Sequence, residues 1–302
     1  MARVDLHIHS TASDGIMTPS EIVGTALERS LTMISITDHD TLDGIPEAAG
    51  AAADSGIIFV PGVELSVEIE SDGSVTAHLL GYFPGAGIGE LVRDSTPLGE
   101  AITFVQGGRR RRNPRILEKL RASGVYILMN EVELLSDGDV VGRPHIAQAM
   151  VDAGYVGSLK EAFNRFLGKG RPAYVERDRL PVGKAMDVIR EAGGLPVMAH
   201  PGYIPMDSDE MRKLFGRMKG LGLSGVEVYY PTHAPSMVEF LLSVADEFDL
   251  LVTGGTDFHG RDGEAAPLGG SPEGFAVETE MIRDFMDVCL DSQREVIHGQ
   301  AQ

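Results

Sequence analysis

Nine side chains of the kinds that hold divalent metal ions stand in short clusters spread along the chain. They are His7 and His9 in His7-Ile8-His9-Ser10, Asp14 in Ser13-Asp14-Gly15, His39 in Thr37-Asp38-His39-Asp40, Glu64 in Gly62-Val63-Glu64, His78, His200 in Ala199-His200-Pro201, and Asp257 and His259 in Thr256-Asp257-Phe258-His259. A His-X-His pair on a strand places both imidazoles on one face, because strand side chains repeat every two residues. Mixed imidazole and carboxylate donors suit Zn, Mn or Fe, and a carboxylate can bridge two ions. This many donors exceeds what one ion accepts, so the set predicts two or three ions a few ångströms apart, as in two-metal hydrolases. A single histidine is more often a hydrogen-bonded structural residue. Here six of the nine histidines fall near expected strand ends, beside carboxylates and small-residue turns, and a structural reading does not account for that.

The elements that must position these groups follow from the apolar patterning. Arg3 to Ile8, Met33 to Thr37, Ile57 to Val60, Val75 to Tyr82, Leu195 to Ala199, Gly225 to Tyr229 and Leu250 to Thr253 read as strands, with Ser71-Asp72-Gly73-Ser74 as the turn before the fourth. Between the first two, Thr18 as N-cap, Pro19 at N1 and Glu21 at N3 mark a helix start. Strands alternating with helices predict parallel pairing and an α/β fold. Almost every expected strand delivers a His, Asp or Glu at or just past its carboxyl end, where a β/α barrel builds its active site. A barrel brings those ends together, whereas an open sheet leaves the outer ones apart. From about residue 97 to 174 the pattern turns mostly helical, with Gly124, Gly154 and Gly168 where helices would end. The expected organisation is therefore a barrel domain over 1–96 and 175–290, with a helical subdomain over 97–174 inserted between the fourth and fifth strands.

Taken in order, these motifs resemble those of the PHP (polymerase and histidinol phosphatase) family. The inserted helical segment is similar to that of PHP phosphoesterases acting on nucleoside 3',5'-bisphosphates, a branch that includes enzymes trimming short RNA 5' ends. The resemblance implies a distorted (β/α)7 barrel and a trinuclear metal centre, with Mn as first choice and Fe or Zn behind it. His7, His9, Glu64 and Asp257 would hold one ion. Glu64 would bridge to a second, held with His78 and His200, while Asp14, His39 and His259 would hold the third. The implied reaction is hydrolysis of a phosphomonoester by a metal-bridging hydroxide, with the 3'-phosphate of a nucleoside 3',5'-bisphosphate as the foremost target. A 5'-to-3' exoribonuclease on short RNA, a histidinol-phosphate phosphatase and a metal-stabilised nucleotide-binding module are the alternatives.

Gly107-Gly108-Arg109-Arg110-Arg111-Arg112-Asn113 stands out in an acidic chain. On a helix Arg109 and Arg112 share a face, and arginine's planar fork suits phosphate. A solvated basic face would explain the run equally well, but the resemblance favours Arg109 and Arg112 as the substrate grip, with Arg110 and Arg111 facing away. Arg143-Pro144-His145 opens another helix, whose N-terminus can hold an anion, so Arg143 and His145 join the candidate substrate contacts, with a helix-capping role as the equal alternative for His145. Gly168-Lys169-Gly170-Arg171-Pro172 reads equally well as a solvated loop. His233, in Tyr229-Tyr230-Pro231-Thr232-His233 after the sixth strand, faces the expected mouth; with His259 it is a candidate for proton transfer, and a hydrogen-bonded loop histidine is the competing reading. His298, in the polar tail, is assigned no role.

Bulk properties bound these readings. The 302 residues carry 26 basic and 45 acidic side chains, a net charge of -19. Such a surface repels long polyanions and argues against coating of duplex nucleic acid, while leaving room for a small phosphorylated substrate whose local potential bound metal reverses. The one cysteine, Cys289, excludes an internal disulfide and a cysteine-rich zinc site, and its apolar helical setting predicts a buried thiol. No apolar run approaches the length of a membrane span, and Met1 to His7 shows no signal-peptide core, so a cytoplasmic location is expected.

Overall fold

The computed structural model describes residues 2–70, 74–136, 140–261, 263–270 and 274–299. The first part of the chain forms β1 (Arg3–Ile8), α1 (Pro19–Glu28), β2 (Leu31–Ile36), α2 (Ile45–Ala52), β3 (Ile58–Phe59), β4 (Gly62–Glu70) and β5 (Ser74–Tyr82). Helices α3 (Ile88–Leu91), α4 (Pro97–Ala122), α5 (Met129–Glu133), α6 (Arg143–Asp152) and α7 (Leu159–Ala162) come next. Alternation then resumes with β6 (Leu180–Pro181), α8 (Val182–Glu191), β7 (Leu195–Met198), α9 (Ser208–Gly220), β8 (Gly225–Tyr229), α10 (Pro235–Glu247), β9 (Leu251–Gly254), β10 (Val277–Glu278) and α11 (Arg283–Gly299). Helix α1 starts as its sequence predicts: Thr18 accepts the amide of Glu21, and Glu21 answers to the amide of Thr18.

The strands form two sheets, in the orders β10-β1-β2-β3 and β6-β4-β5-β7-β8-β9. Isolated parallel bridges, Ile8 with Phe258 and His39 with Glu64, join them where β1 and β2 end. An apolar cluster drawn from both sheets, including Leu6, Met33, Leu80, Tyr82 and Val197, fills the space between them and is backed by Phe285 and Cys289 of α11. The Tyr82 hydroxyl crosses this space to the carbonyl of Leu6 at 2.9 Å.

Pairing is not parallel throughout. β5 runs antiparallel to both β4 and β7. The few residues linking β4 to β5 are too short for the crossover that a parallel pair needs, so a hairpin results. The Ser71-Asp72-Gly73 part of the expected turn lies outside the described residues. β4 itself was not expected as a strand, although Val63, Leu65, Val67 and Ile69 alternate with Glu64, Ser66 and Glu68 along it.

The 97–174 segment divides its packing. Leu98, Ala101, Ile102 and Val105 of α4 pack with β4, β5 and α8 in the main core, whereas Ile116 and Leu120 of the same helix open a separate cluster running to Val175. The independent apolar core therefore begins midway along α4 rather than at Pro97. Gly124 and Gly154 end their helices in the left-handed region, at φ 83° and 74°. Gly168 also follows a helical turn but has φ -70°.

Candidate metal centre and arginine cluster

All nine expected metal-binding side chains meet at the carboxyl end of β1 and β2. Glu64, fully buried on β4, is the hub. Its Oε1 lies 3.5 Å from His7 Nε2 and 2.9 Å from both His78 Nδ1 and His200 Nε2. Its Oε2 lies 3.3 Å from His9 Nε2 and 2.7 Å from His39 Nδ1. Asp257 Oδ1 approaches His9 Nε2 at 3.0 Å and His7 Nε2 at 3.4 Å, and Asp14 Oδ1 faces His259 Nε2 at 3.3 Å. The donor atoms group as His9, Asp14, His39 and His259; His7, Glu64 and His200; His7, His9 and Asp257; and His39, Glu64 and His78, each set lying within 4.8 Å of itself.

Close approach is not the same as hydrogen bonding here. His7 Nε2, both nitrogens of His9, His39 Nδ1, His78 Nδ1, Asp14 Oδ1 and Glu64 Oε2 are buried and make no hydrogen bond. Buried polar atoms of a folded protein are ordinarily paired. Lone pairs that crowd together without pairing are what a shared cation would satisfy, and the imidazole–carboxylate set suits a divalent ion of borderline softness. The residues therefore fit the metal the motifs imply.

The electrostatics record the same crowding. Burial, with His259 and His39 beside it, pushes His9 down to about 3. Burial opposes charge on His259, but Asp14 and Asp257 outweigh it and raise the group to about 10. Burial also opposes ionisation of Glu64, yet the surrounding imidazoles hold it well below the carboxylate range. Backbone strain concentrates here too: Asp40, His200 and Asp257 have φ of 54°, 26° and 54°. Such conformations persist where the surrounding packing over-determines them.

Supporting carboxylates surround the cluster. Asp38 accepts the amide and hydroxyl of Ser10 and the hydroxyl of Ser13, fixing the loop that carries Asp14. Asp5 accepts the Thr256 amide and hydroxyl and the Gly269 amide, fixing the loop before Asp257. Glu227 of β8 accepts from His7 Nδ1 at 2.9 Å and from the His200 amide at 2.7 Å. Tyr230 donates to Asp257 Oδ2 at 2.8 Å. Of these four, Asp38 and Tyr230 stood inside quoted motifs, and none was expected to support the cluster. Glu227 offered a signal, being an acidic residue inside the apolar strand Gly225–Tyr229.

Beside the cluster lies a concentration of arginine. Arg109 and Arg112 share the buried face of α4, while Arg110 and Arg111 are exposed. Arg109 Nε meets Asp40 Oδ2 at 2.9 Å, so this arginine is already paired, and Arg177 adds a second contact to Asp40 at 3.4 Å and one to Ser66 Oγ. Arg112 donates to Asn113 Oδ1 at 2.9 and 3.2 Å. Arg143 lies over the rings of Phe163 and Tyr174 and donates to the Leu167 carbonyl at 3.1 Å. Burial, then the neighbouring Arg109, Arg177 and Arg143, lowers Arg112 to about 8. Burial and Arg109 likewise lower Arg177 to about 9, against the pull of Asp40. Like charges held together out of water are a site prepared for an anion. Arg177 and Arg179 were missed in the sequence, where they alternate in Glu176-Arg177-Asp178-Arg179 ahead of β6.

Two of the expected site histidines make backbone contacts. His145 is buried at the start of α6, where its Nδ1 accepts the Gly142 amide at 3.0 Å and caps the helix. His233 points one ring nitrogen at the Val228 carbonyl, 2.9 Å, and accepts the Gly202 amide on the other, 3.2 Å. Its ring nitrogens are thus both engaged by backbone, the arrangement of a loop-holding histidine. Cys289 is buried as expected, and burial pushes its thiol up to about 12. Among the described residues no helix is long and apolar enough to cross a membrane.

Known proteins resemble this chain over most of its length. The PHP domain family matches residues 5–166. The 3',5'-nucleoside bisphosphate phosphatase of Chromobacterium violaceum is 34% identical over 87% of this chain and 90% of its own length. A 5'-3' exoribonuclease of Haemophilus influenzae is 35% identical over 85% of this chain and 90% of its own. Among solved structures, an amidohydrolase from Chromobacterium violaceum with bound sulfate and no metal superposes with a TM-score of 0.81 at 30% identity, covering 95% of this chain and 97% of that one.

Proposed function

The chain belongs to the PHP domain family, and from that premise we propose that it removes the 3'-phosphate of a nucleoside 3',5'-bisphosphate. It is a hydrolase of phosphoester bonds. The observation that carries the narrower reading is the arginine cluster abutting the metal-binding cluster: Asp40, which Arg109 and Arg177 contact, follows directly after His39 in the chain. One phosphate at the metal centre and a second among the arginines describe a doubly phosphorylated substrate. A plain monoester such as histidinol phosphate brings no second anion to the guanidiniums gathered there.

In this reading His7, His9, Glu64 and Asp257 would hold one ion, Glu64, His78 and His200 a second, and Asp14, His39 and His259 a third, with Mn preferred and Fe or Zn as substitutes. Divalent ions there supply Lewis acidity toward the phosphate oxygens and a water of lowered pKa. The protein's own part is positioning. Glu227 fixes the His7 ring so that Nε2 faces the cluster, and Tyr230 fixes Asp257. Arg112, Arg143 and Arg177 hold the second phosphate, which anchors the nucleoside and turns its 3'-phosphate toward Glu64. Of the two histidines considered for proton transfer, His259 stands in the cluster and His233 holds a loop beside it. We place the protein in the cytoplasm, where nucleotides are abundant and a lone thiol such as Cys289 stays reduced.

The second reading, a 5'-to-3' exoribonuclease on short RNA, is favoured by the relative of that name and uses the same groups. The test is product release by Mn²⁺-loaded protein from adenosine 3',5'-bisphosphate, AMP, histidinol phosphate and a 5'-phosphorylated RNA trinucleotide. Preference for the bisphosphate supports the first reading and stepwise mononucleotide release the second. Activity confined to histidinol phosphate overturns both.

A further inference from the structure

Beside His200 of the metal-binding cluster, a groove of about 450 Å³ lies between the loop after β7 and the start of α10. Its lining includes Tyr203, Thr232, His233, Ser236, Met237 and Phe240. A line of rings leads to it across the cluster: His39 to His78 at 4.9 Å, His78 to His200 at 5.3 Å, His200 to Tyr203 at 5.5 Å. Asp40, which holds Arg109, adjoins the first of these rings in the chain, and Tyr203 at the groove packs against the last, so the arginines and the groove adjoin different histidines of the cluster.

Tyr203 is 62% exposed, high for a ring of its size, yet it is fixed. His200 and Tyr230 meet it edge-on, with interplanar angles of 65° and 83°, and its hydroxyl lies 3.2 Å from Thr232 Oγ1. A ring braced in this way keeps a face open for stacking. The lining carries no lysine, arginine, aspartate or glutamate, while Ser208, Thr232 and Ser236 bring hydroxyls to it. Its volume falls within the roughly 300–1,000 Å³ of small-ligand sites. Such a groove suits an uncharged body with a flat ring and hydroxyls, and does not suit a second phosphate.

We propose that this groove seats the downstream nucleoside of a 5'-phosphorylated dinucleotide or short RNA, the nucleoside whose 5'-oxygen carries the scissile phosphate, with its base stacked on Tyr203. The inference rests on the phosphoesterase reading above and gives its short-RNA form a seat for the nucleoside beyond the cleaved bond. Atoms balance in both cases. Water oxygen bonds to phosphorus, the bond from phosphorus to the 3'-oxygen breaks, and that oxygen leaves with a proton. A bisphosphate yields a 5'-mononucleotide and inorganic phosphate. A 5'-phosphorylated dinucleotide yields two 5'-mononucleotides, because the phosphate stays on the downstream 5'-oxygen.

The experiment compares kcat/KM on 5'-phosphorylated adenylyl-adenosine with kcat/KM on adenosine 3',5'-bisphosphate for the Mn²⁺-loaded wild type, Tyr203→Ala, Tyr203→Phe and Ser236→Trp. Loss of one stacked base predicts that Tyr203→Ala lowers the dinucleotide-to-bisphosphate ratio about tenfold, mostly through KM. Ser236→Trp, which fills the groove from its rim, should lower the ratio at least as far, and Tyr203→Phe should keep it near wild type. An unchanged ratio in both Tyr203→Ala and Ser236→Trp overturns the proposal, as does a Tyr203→Phe as impaired as Tyr203→Ala. Wild type that cleaves the bisphosphate but not the dinucleotide overturns the proposal and leaves the phosphatase reading standing. Cleavage of neither overturns both.

Discussion

Glu227 Oε1 lies 2.9 Å from His7 Nδ1, with both side chains fully buried. The contact holds the His7 ring with Nδ1–H toward Glu227 and turns the Nε2 lone pair to Glu64 and Asp257. The other oxygen of Glu227 accepts the His200 amide, so one carboxylate orients two candidate ligands, one on β1 and one in the turn after β7. Partners of this kind fix the tautomer and raise the basicity of a metal-binding imidazole. Glu227→Gln keeps the shape and removes the charge. Its affinity for Mn²⁺, measured by calorimetric titration, should fall about 10- to 100-fold with the circular dichroism spectrum unchanged. Wild-type affinity in that variant would remove Glu227 from this role.

Glu64 supports a second prediction, which needs no turnover. Saturating divalent metal stabilises a protein that binds it only when folded, by about 2.7 kcal/mol at a hundred times the dissociation constant. For a chain of this size that corresponds to a rise in Tm of roughly 4 °C. Adding Mn²⁺ to chelator-treated wild type should produce such a rise, and Glu64→Ala, which removes the group shared by five imidazoles, should lose most of it. An equal rise in both proteins would mean that the ions bind elsewhere.

The candidate donors were legible in the sequence because each sits in a short motif whose types and spacing have a chemical reason. The alternation of strands and helices supplied the α/β class for the same reason. Three things were not legible. The direction of β5 depends on the shortness of its connection to β4, and the alternation that marks Gly62–Glu70 as a strand was overlooked in favour of the apolar run before it. The partner of Arg109 is Asp40, 69 residues away, and no local pattern connects them. Glu227 stands out as an acid inside an apolar strand, but its role was not legible, since it depends on β8 lying where its side chain reaches His7. Long-range pairing of this kind is set by packing, which spacing along the chain does not encode.

The arginine cluster predicts a response to simple anions. Arg112, Arg143 and Arg177 are buried with like charges nearby, and an anion among them relieves that repulsion. Sulfate or inorganic phosphate at millimolar concentration should raise the Tm of metal-free wild type, whereas chloride at equal ionic strength should not. Arg112→Ala should blunt the response and raise KM for adenosine 3',5'-bisphosphate by roughly 10- to 100-fold, as expected for a lost charge-assisted hydrogen bond of about 1.5–3 kcal/mol. An unaltered KM would move the second phosphate away from Arg112.

Asp40 ties this cluster to the fold, and pH tests the tie. Burial opposes its charge, but Arg109 and Arg177 outweigh burial and hold the carboxyl well below its ordinary value of 3.8. A carboxylate depressed on folding contributes stability that is complete above the unfolded pKa and is lost as pH falls toward the native one. The contribution is therefore fully present at pH 7 and starts to decline below about pH 4. Asp40→Asn leaves two buried guanidiniums without their counter-charge and should cost about 3–5 kcal/mol in urea denaturation at pH 7. The same comparison at pH 3 should give a smaller difference, because the wild type has by then surrendered part of what the variant lacks. A difference independent of pH would show that the Asp40 charge is not what holds Arg109 and Arg177 in place.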